Sequence, residues 1–433
     1  MKIKYAWIFI PLLLNAQNFK QITQDIVNSL KYKQAQKQIL LFKQKLKTQK
    51  ALNYGSLSAQ YDYARLFNTP IMKMSVMEPI GVNPQTGALI YTPVNSQVPL
   101  ADKDRFVGVL KYSYPLFSGF AISNSIKKAK LELIKQKLNL QNVKRLLILN
   151  SAKFYAEIYA LKAKIYALNK AKEALLDAKQ KAEALYKEGL INKAQIAEIN
   201  AKYYETAALI KQTKSEKYSL LNMLSTLVNK KITDVDSITS KRCDFKPNFN
   251  NRPDVKMIVK TLLIAKSDIK IAESKYYPQI GFEVALKKEA QRWTLDKNDY
   301  ENTDKSYAAI SIRYDIFDGG KREGLLQSAK IAKQLETLFY RDYIKQIKTE
   351  YYNDLNKLKA LYYRLKAARE EIKARSSYYE LIKAKFNEGL ADSSDLNDAI
   401  AKLATARAKK EAIKAEIFFL NVKLKLDGGE SVK

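Results

Sequence analysis

The chain has 433 residues, with 76 Lys and Arg against 44 Asp and Glu, one cysteine and no histidine. That inventory excludes an internal disulfide and withholds the commonest metal ligand and general base, so the chain reads as no enzyme and as needing no cofactor. The formal charge of +32 is carried by lysines spaced among acids and alanines along helical segments, the pattern of solvated helix faces, so no nucleic-acid partner is expected.

Glycine (13) and proline (10) are scarce and no proline follows Pro278, which predicts a mainly α chain. Residues 1–16 have the layout of a signal peptide: Lys2 and Lys4 precede an apolar run from Tyr5 to Leu14, too short to span a bilayer, and Ala16 can precede a cleavage point. A buried N-terminal helix is the other reading of that run. Residues 17–50 predict a polar N-terminal helix. Residues 51–229 form a first repeat. It opens with a strand pattern over Leu52 to Phe67 and a proline-rich loop from Asn68 to Asp104. A strand from Phe106 to Phe117 follows, then a helix that meets neither Pro nor Gly between Gly119 and Gly189. At about 1.5 Å per residue such a helix is on the order of 100 Å long. Ile158, Leu161, Ile165 and Leu168, and after the turn Ile196, Ile199, Tyr203, Thr206 and Ile210, step by three and four as in coiled coils.

Residues 230–253 are a crossover, and residues 254–427 form a second repeat. Its elements are a helix over Asp254 to Lys275, a strand over Tyr277 to Leu286, a polar loop over Lys287 to Lys305, a strand over Tyr307 to Phe317, and the long helix pair again. Residues 428–433 are a C-terminal tail. The two repeats keep one register. Tyr114, Phe117, Gly119, Ala129 and Lys130 recur 200 residues later as Tyr314, Phe317, Gly319, Ala329 and Lys330, and Glu188-Gly189-Leu190 recurs as Glu388-Gly389-Leu390.

The strands alternate. Leu110, Tyr112, Tyr114 and Leu116 match Ile310, Ile312, Tyr314 and Ile316 on an apolar face, while Lys111 and Ser113 match Ser311 and Arg313 on a polar one. A half-buried soluble sheet gives the same alternation; strands of roughly ten residues ending in aromatics, behind a secretory signal, suit a membrane β-barrel better. Leu110, Tyr112, Tyr114, Ile310, Ile312 and Tyr314 are then the lipid-facing strand residues. Four strands cannot close alone, and open edges in lipid leave backbone groups unpaired at several kcal/mol each. An obligate oligomer is therefore expected.

The signal peptide, the strand ends Tyr114-Pro115-Leu116-Phe117-Ser118-Gly119 and Tyr314-Asp315-Ile316-Phe317-Asp318-Gly319-Gly320, the twin Glu-Gly-Leu turns, and Asn251-Arg252-Pro253-Asp254-Val255 leading to Tyr277-Pro278-Gln279-Ile280 resemble the TolC family of outer-membrane efflux proteins. The resemblance implies a homotrimer in the bacterial outer membrane. Each chain would give four strands to a twelve-stranded barrel, and its long antiparallel helices to a periplasmic α-barrel. The implied role is a passive exit duct of a tripartite efflux or type I secretion system, working with an inner-membrane pump and a periplasmic adaptor. The positions matching the family's acidic ring at the periplasmic entrance are Asp395 and Asp398, and the turns at Gly189, Leu190, Gly389 and Leu390 are the tips for adaptor contact. Asp395 also reads as an acid complementing the dipole of a helix start opened by Asp392 and Ser393. Where family members lock the closed mouth with an arginine, a tyrosine and an acid, this chain has Ala391, Phe386 and Gln195, which form no charged link.

Met72, Met74 and Met77 are soft donors suited to Cu(I), but with no histidine or cysteine nearby they read as loop packing, and no metal site is assigned. Gly319-Gly320-Lys321 lacks the spacing of a phosphate loop and reads as a strand-to-helix turn. The alternative to a duct is a non-conducting secreted or surface coiled-coil assembly.

Overall fold

A computed structural model describes residues 17–239, 246–299 and 302–430. The expected signal peptide at 1–16 and the end of the tail at 431–433 lie outside the described residues. In chain order the elements are α1 (Phe19–Asp25), α2 (Leu30–Ala51), β1 (Ser56–Arg65), β2 (Ile71–Val82), β3 (Leu89–Pro99), β4 (Asp104–Phe117), α3 (Ala121–Lys187) and α4 (Lys193–Val228). The second half has α5 (Pro253–Glu273), β5 (Gln279–Ala290), β6 (Tyr307–Arg313), α6 (Lys321–Asn387) and α7 (Ser393–Asp427). The duplication holds in three dimensions: α3 and α6 have 67 residues each, and α4 and α7 have 36 and 35.

The chain clusters into two units. The described residues of Met1–Phe42, Leu131–Leu262 and Gln334–Lys433 make a helical unit; those of Lys43–Lys130 and Leu263–Lys333 make a unit containing the six described strands.

Among the described residues the helical unit has three apolar clusters. One joins Ile22 and Ile26 to Tyr155, Ile158, Leu224 and Val228; a second packs Ala171, Leu175 and Ala182 on Phe386, Leu396 and Ile400; a third joins Tyr351 and Leu361 to Ile417 and Leu424. Of the expected seam, Ile158 and Ile199 are fully buried, whereas Leu161, Ile165 and Leu168 stay partly exposed. The N-terminal helix is two helices and not one. Ser29 leaves helical geometry (ψ 136°), and its carbonyl accepts the Lys33 N–H at 3.0 Å, so it opens α2.

In the other unit, β1-β4-β5-β6 form an antiparallel four-stranded sheet with β1 and β6 as open edges. The expected loop over 68–104 is instead a hairpin, β2 paired with β3 from Ile71↔Pro99 to Val82↔Leu89. Its prolines are compatible with that pairing. A two-stranded ribbon has two free edges, so a proline nitrogen turned outward breaks no ladder bond, and Pro79 sits at the register shift before Gly81. The alternation along β2 puts Met72 and Met74 on one face and Met77 on the other, so the three thioethers do not converge. Strand β5 runs on to Ala290, where the sequence predicted loop from Lys287, because β4 continues to pair with it as far as Phe106↔Ala290. Strand β6 stops at Arg313, paired with Gln279; the next partner, Pro278, has no N–H to offer, so Tyr314 to Phe317 fall outside the strand.

Candidate functional site

The register of the sheet decides which side chains share a face. Leu110 lies between Ala59 and Leu286, Tyr112 between Leu57 and Val284, and Phe282 between Tyr114 and Ile310, with Ile280 beside Ile312. Directly paired residues point to the same side, so these form one apolar surface. It is open to solvent: Leu110 is 43% exposed, Ile310 67% and Ile312 71%. The opposite face is polar and internally bonded. Glu283 accepts from Ser113 Oγ (3.2 Å) and Tyr307 OH (2.6 Å), and Lys111 Nζ lies 3.5 Å from it. The five expected lipid-facing residues that lie in strands share the apolar face. Tyr314, one residue past β6, instead lies 5.8 Å (ring centroid) from the guanidinium of Arg322, which donates to the Asp315 and Ile316 carbonyls.

The strand-to-helix turns are built alike in both repeats. Ser118 Oγ accepts the Ile122 N–H and the Asp318 carboxylate accepts the Arg322 N–H, capping α3 and α6. Gly119 (φ +60°) and Gly319 (φ +65°) are both left-handed. The next position differs: Gly320 in one copy, Phe120 at φ +68° in the other. Packing holds Phe120 there, since its ring meets Phe117 and Tyr277 edge-on at 5.3 and 5.8 Å.

At the far ends of α3 and α6 the turns are near copies. Gly189 and Gly389 each have φ +73°, and the amides of Leu190 and Leu390 bond back to the carbonyls of Leu185 and Lys385 at 2.9 and 2.8 Å, a Schellman closure. The following helices start on matching caps: Asn192 accepts the Gln195 N–H and Asp392 the Asp395 N–H. Leu190 and Leu390 are left exposed.

Asp395 and Asp398 are both exposed on α7, opposite the buried Leu396, Ala399 and Ile400. They differ in company. The backbone of Asp395 is fixed by its cap, whereas Asp398 Oδ2 lies 2.5 Å from Lys402 Nζ one turn on. At the three positions that lack the charged lock, Phe386 is fully buried, Ala391 packs on the same apolar cluster, and Gln195 is half-buried with its Oε1 unbonded.

Two arrangements escaped the sequence reading. Ser393 Oγ donates to Glu198, tying the start of α7 to that of α4. In addition, Arg145 on α3 donates to Asp254 and Asp427 at 2.8 Å each, while Arg252 also holds Asp254 at 2.8 Å and Tyr343 OH donates to it at 2.9 Å. Burial pushes the Asp254 carboxyl up, but the Arg252 bond and the Arg145 charge more than reverse this and hold it at about 2. Burial outweighs the same two arginines at Asp427, whose carboxyl is raised.

Residues 249–417 match the family model of outer membrane efflux proteins. Solved structures with the same fold include CusC, at 15% identity and a TM-score of 0.80 over 95% of this chain and 92% of that one. The Campylobacter jejuni CmeC outer membrane channel has 15% identity and a TM-score of 0.76 over 96% and 86%. Vibrio cholerae VceC has 16% identity and a TM-score of 0.73 over 95% and 96%. This is the outer-membrane efflux channel fold. The resemblance to the TolC family is borne out by the family match over 249–417 and by the fold over nearly the whole chain. No curated protein sequence matches it. Among the described residues no helix is long and apolar enough to cross a membrane.

Proposed function

We propose that the chain is the outer-membrane exit duct of a tripartite efflux or type I secretion system, passively passing what an inner-membrane pump delivers through a periplasmic adaptor. One observation carries this reading: a four-stranded sheet with an exposed apolar face, a bonded polar face and two open edges. Such a sheet is unstable in lipid alone, and becomes stable when copies of the chain continue the ladder into a closed barrel. Three copies make twelve strands. CmeC and MtrE, which share the fold, are outer membrane channels.

In this reading Leu110, Tyr112, Ile310 and Ile312 face lipid and Lys111, Glu283 and Tyr307 face the lumen. Gly189-Leu190 and Gly389-Leu390 offer paired apolar tips to the adaptor, and Asp395 and Asp398 ring the entrance with carboxylates. The test is fractionation followed by planar-bilayer recording. A homotrimer in the outer membrane that conducts ions supports the duct; a non-conducting assembly, or a soluble monomer, overturns it.

A further inference from the structure

The bond from Ser393 to Glu198 joins two helices that are copies of each other. Glu198 lies near the start of α4, and its counterpart 200 residues on is Asp398 of α7; Ser393 is the first residue of α7, and its counterpart is Lys193, the first residue of α4. A contact of this kind uses one side of the first copy and the other side of the second. It is heterologous, and it leaves on each helix the side that its twin has already used. Those unused sides carry opposite charges. Lys193 is exposed and has no partner among the described residues, and Asp398 is bonded only to Lys402 of its own helix. An exposed ion pair one turn apart is a weak partner.

We propose that chains join at the entrance by repeating this contact between subunits, so that Asp398 of one chain pairs with Lys193 of the next. The hydroxyl–carboxylate bond inside the chain becomes an ammonium–carboxylate bond between chains. The same relation extends one turn further. Lys202 and Glu205 of α4 line a cavity with Ala401 and Thr405 of α7, so its counterpart sets Lys402 against Ala201 and Glu205 of the next chain. The acids and lysines of the two helices then alternate across the joint, each lysine beside an acid. This joint rests on the trimeric duct reading, which supplies the neighbouring chain. It provides a charged chain-to-chain link, which Ala391, Phe386 and Gln195 do not form.

Thiol cross-linking in assembled protein tests it, in a Cys243→Ser background that removes the sole native cysteine. The Glu198→Cys/Ser393→Cys variant is the control: a short bifunctional thiol reagent should bridge it within one chain, with no gain in mass on denaturing gels. The Lys193→Cys/Asp398→Cys variant should bridge between chains and run at the masses of a dimer and a trimer, whereas each single-cysteine variant stays at monomer mass. A Lys193→Asp/Asp398→Lys exchange should restore a heat-resistant assembly that either single change weakens. If the double-cysteine variant is trimeric by native mass yet stays at monomer mass after cross-linking, the joint is wrong and the duct reading stands. If the wild type is monomeric in detergent and in membranes, the duct reading fails and this joint fails with it.

Discussion

Gly189 and Gly389 hold the same left-handed backbone, φ +73° in each, at the ends of two helices of equal length. A Cβ added at either meets nothing within 4 Å, so substitution costs backbone strain alone. Gly189→Ala and Gly389→Ala should each destabilise their turn by about 1 kcal/mol, and equally. Faster hydrogen exchange at the Leu190 and Leu390 amides, which close the turns, is the readout.

The two strand-to-helix turns should not behave as a matched pair. At Gly119 a Cβ collides with the Ser274 carbonyl and comes within 2.9 Å of Tyr277 Cβ, while at Gly319 it meets nothing. Both pay the strain of a positive φ, but only Gly119→Ala must also move backbone. It should lower trimer yield and thermal stability well beyond Gly319→Ala; equal losses would count against the close packing of α3 on the segment before β5.

The strand faces predict an asymmetric response to charge. Ile312→Arg or Leu110→Arg puts a guanidinium on the apolar face and should cost about 2–4 kcal/mol if the residue lies near mid-bilayer. Ser311→Arg, on the polar face beside Gly281, should be mild. Refolding into detergent micelles and lipid vesicles measures the difference, and equal damage on both faces would reverse the assignment.

Much of this architecture was legible because duplication turns a weak pattern into a repeated one. The strands of the sheet, the long helices and both Gly-Leu turns follow from alternation, from scarce breakers, and from glycines held at a fixed interval. The hairpin β2–β3 was not legible, because the prolines that mark a loop are equally at home on the free edges of a two-stranded ribbon. The end of β6 was hidden for a related reason, since it is set by Pro278 on the neighbouring strand. Arg252 and Asp254 stood out in the Asn-Arg-Pro-Asp-Val stretch, but Arg145 and Asp427 lie among dozens of charges on helices. Only packing shows that these four meet in a buried cluster.

That cluster predicts a pH dependence. The Asp254 carboxyl is lowered from 3.8 to about 2 in the folded chain, so its ionised form stabilises the fold. The contribution is complete above the unfolded value near 4 and is lost as pH falls toward 2, amounting to about 2 kcal/mol. Asp254→Asn should remove it and leave two buried guanidiniums short of charge, costing on the order of 3 kcal/mol at neutral pH. Thermal unfolding of the variant against wild type should show a gap that narrows as pH drops from 5 to about 2. Asp427 works in the opposite sense, its raised carboxyl being relieved by protonation, so the test compares the variant with wild type at each pH and does not read the wild-type profile alone.

The two acids proposed for the entrance, Asp395 and Asp398, separate by their partners. Asp395 is exposed with no cation beside it among the described residues, while Asp398 sits against Lys402. In the proposed trimeric duct the Asp395 carboxylates would converge on one axis, where their fields add and attract multivalent cations. Asp398 contributes less to that field because an ammonium already answers its charge. Asp395→Ala should therefore weaken block by a trivalent cation and reduce cation preference in planar-bilayer recordings, with little loss of stability, since its carboxylate supports no core contact. Asp398→Ala should change block less and assembly more. If lysines dominate the entrance, as the excess of basic residues allows, wild type will prefer anions and Asp395→Ala will change nothing. Asp395 is then only a helix-start acid, held where the Asp392 cap places it.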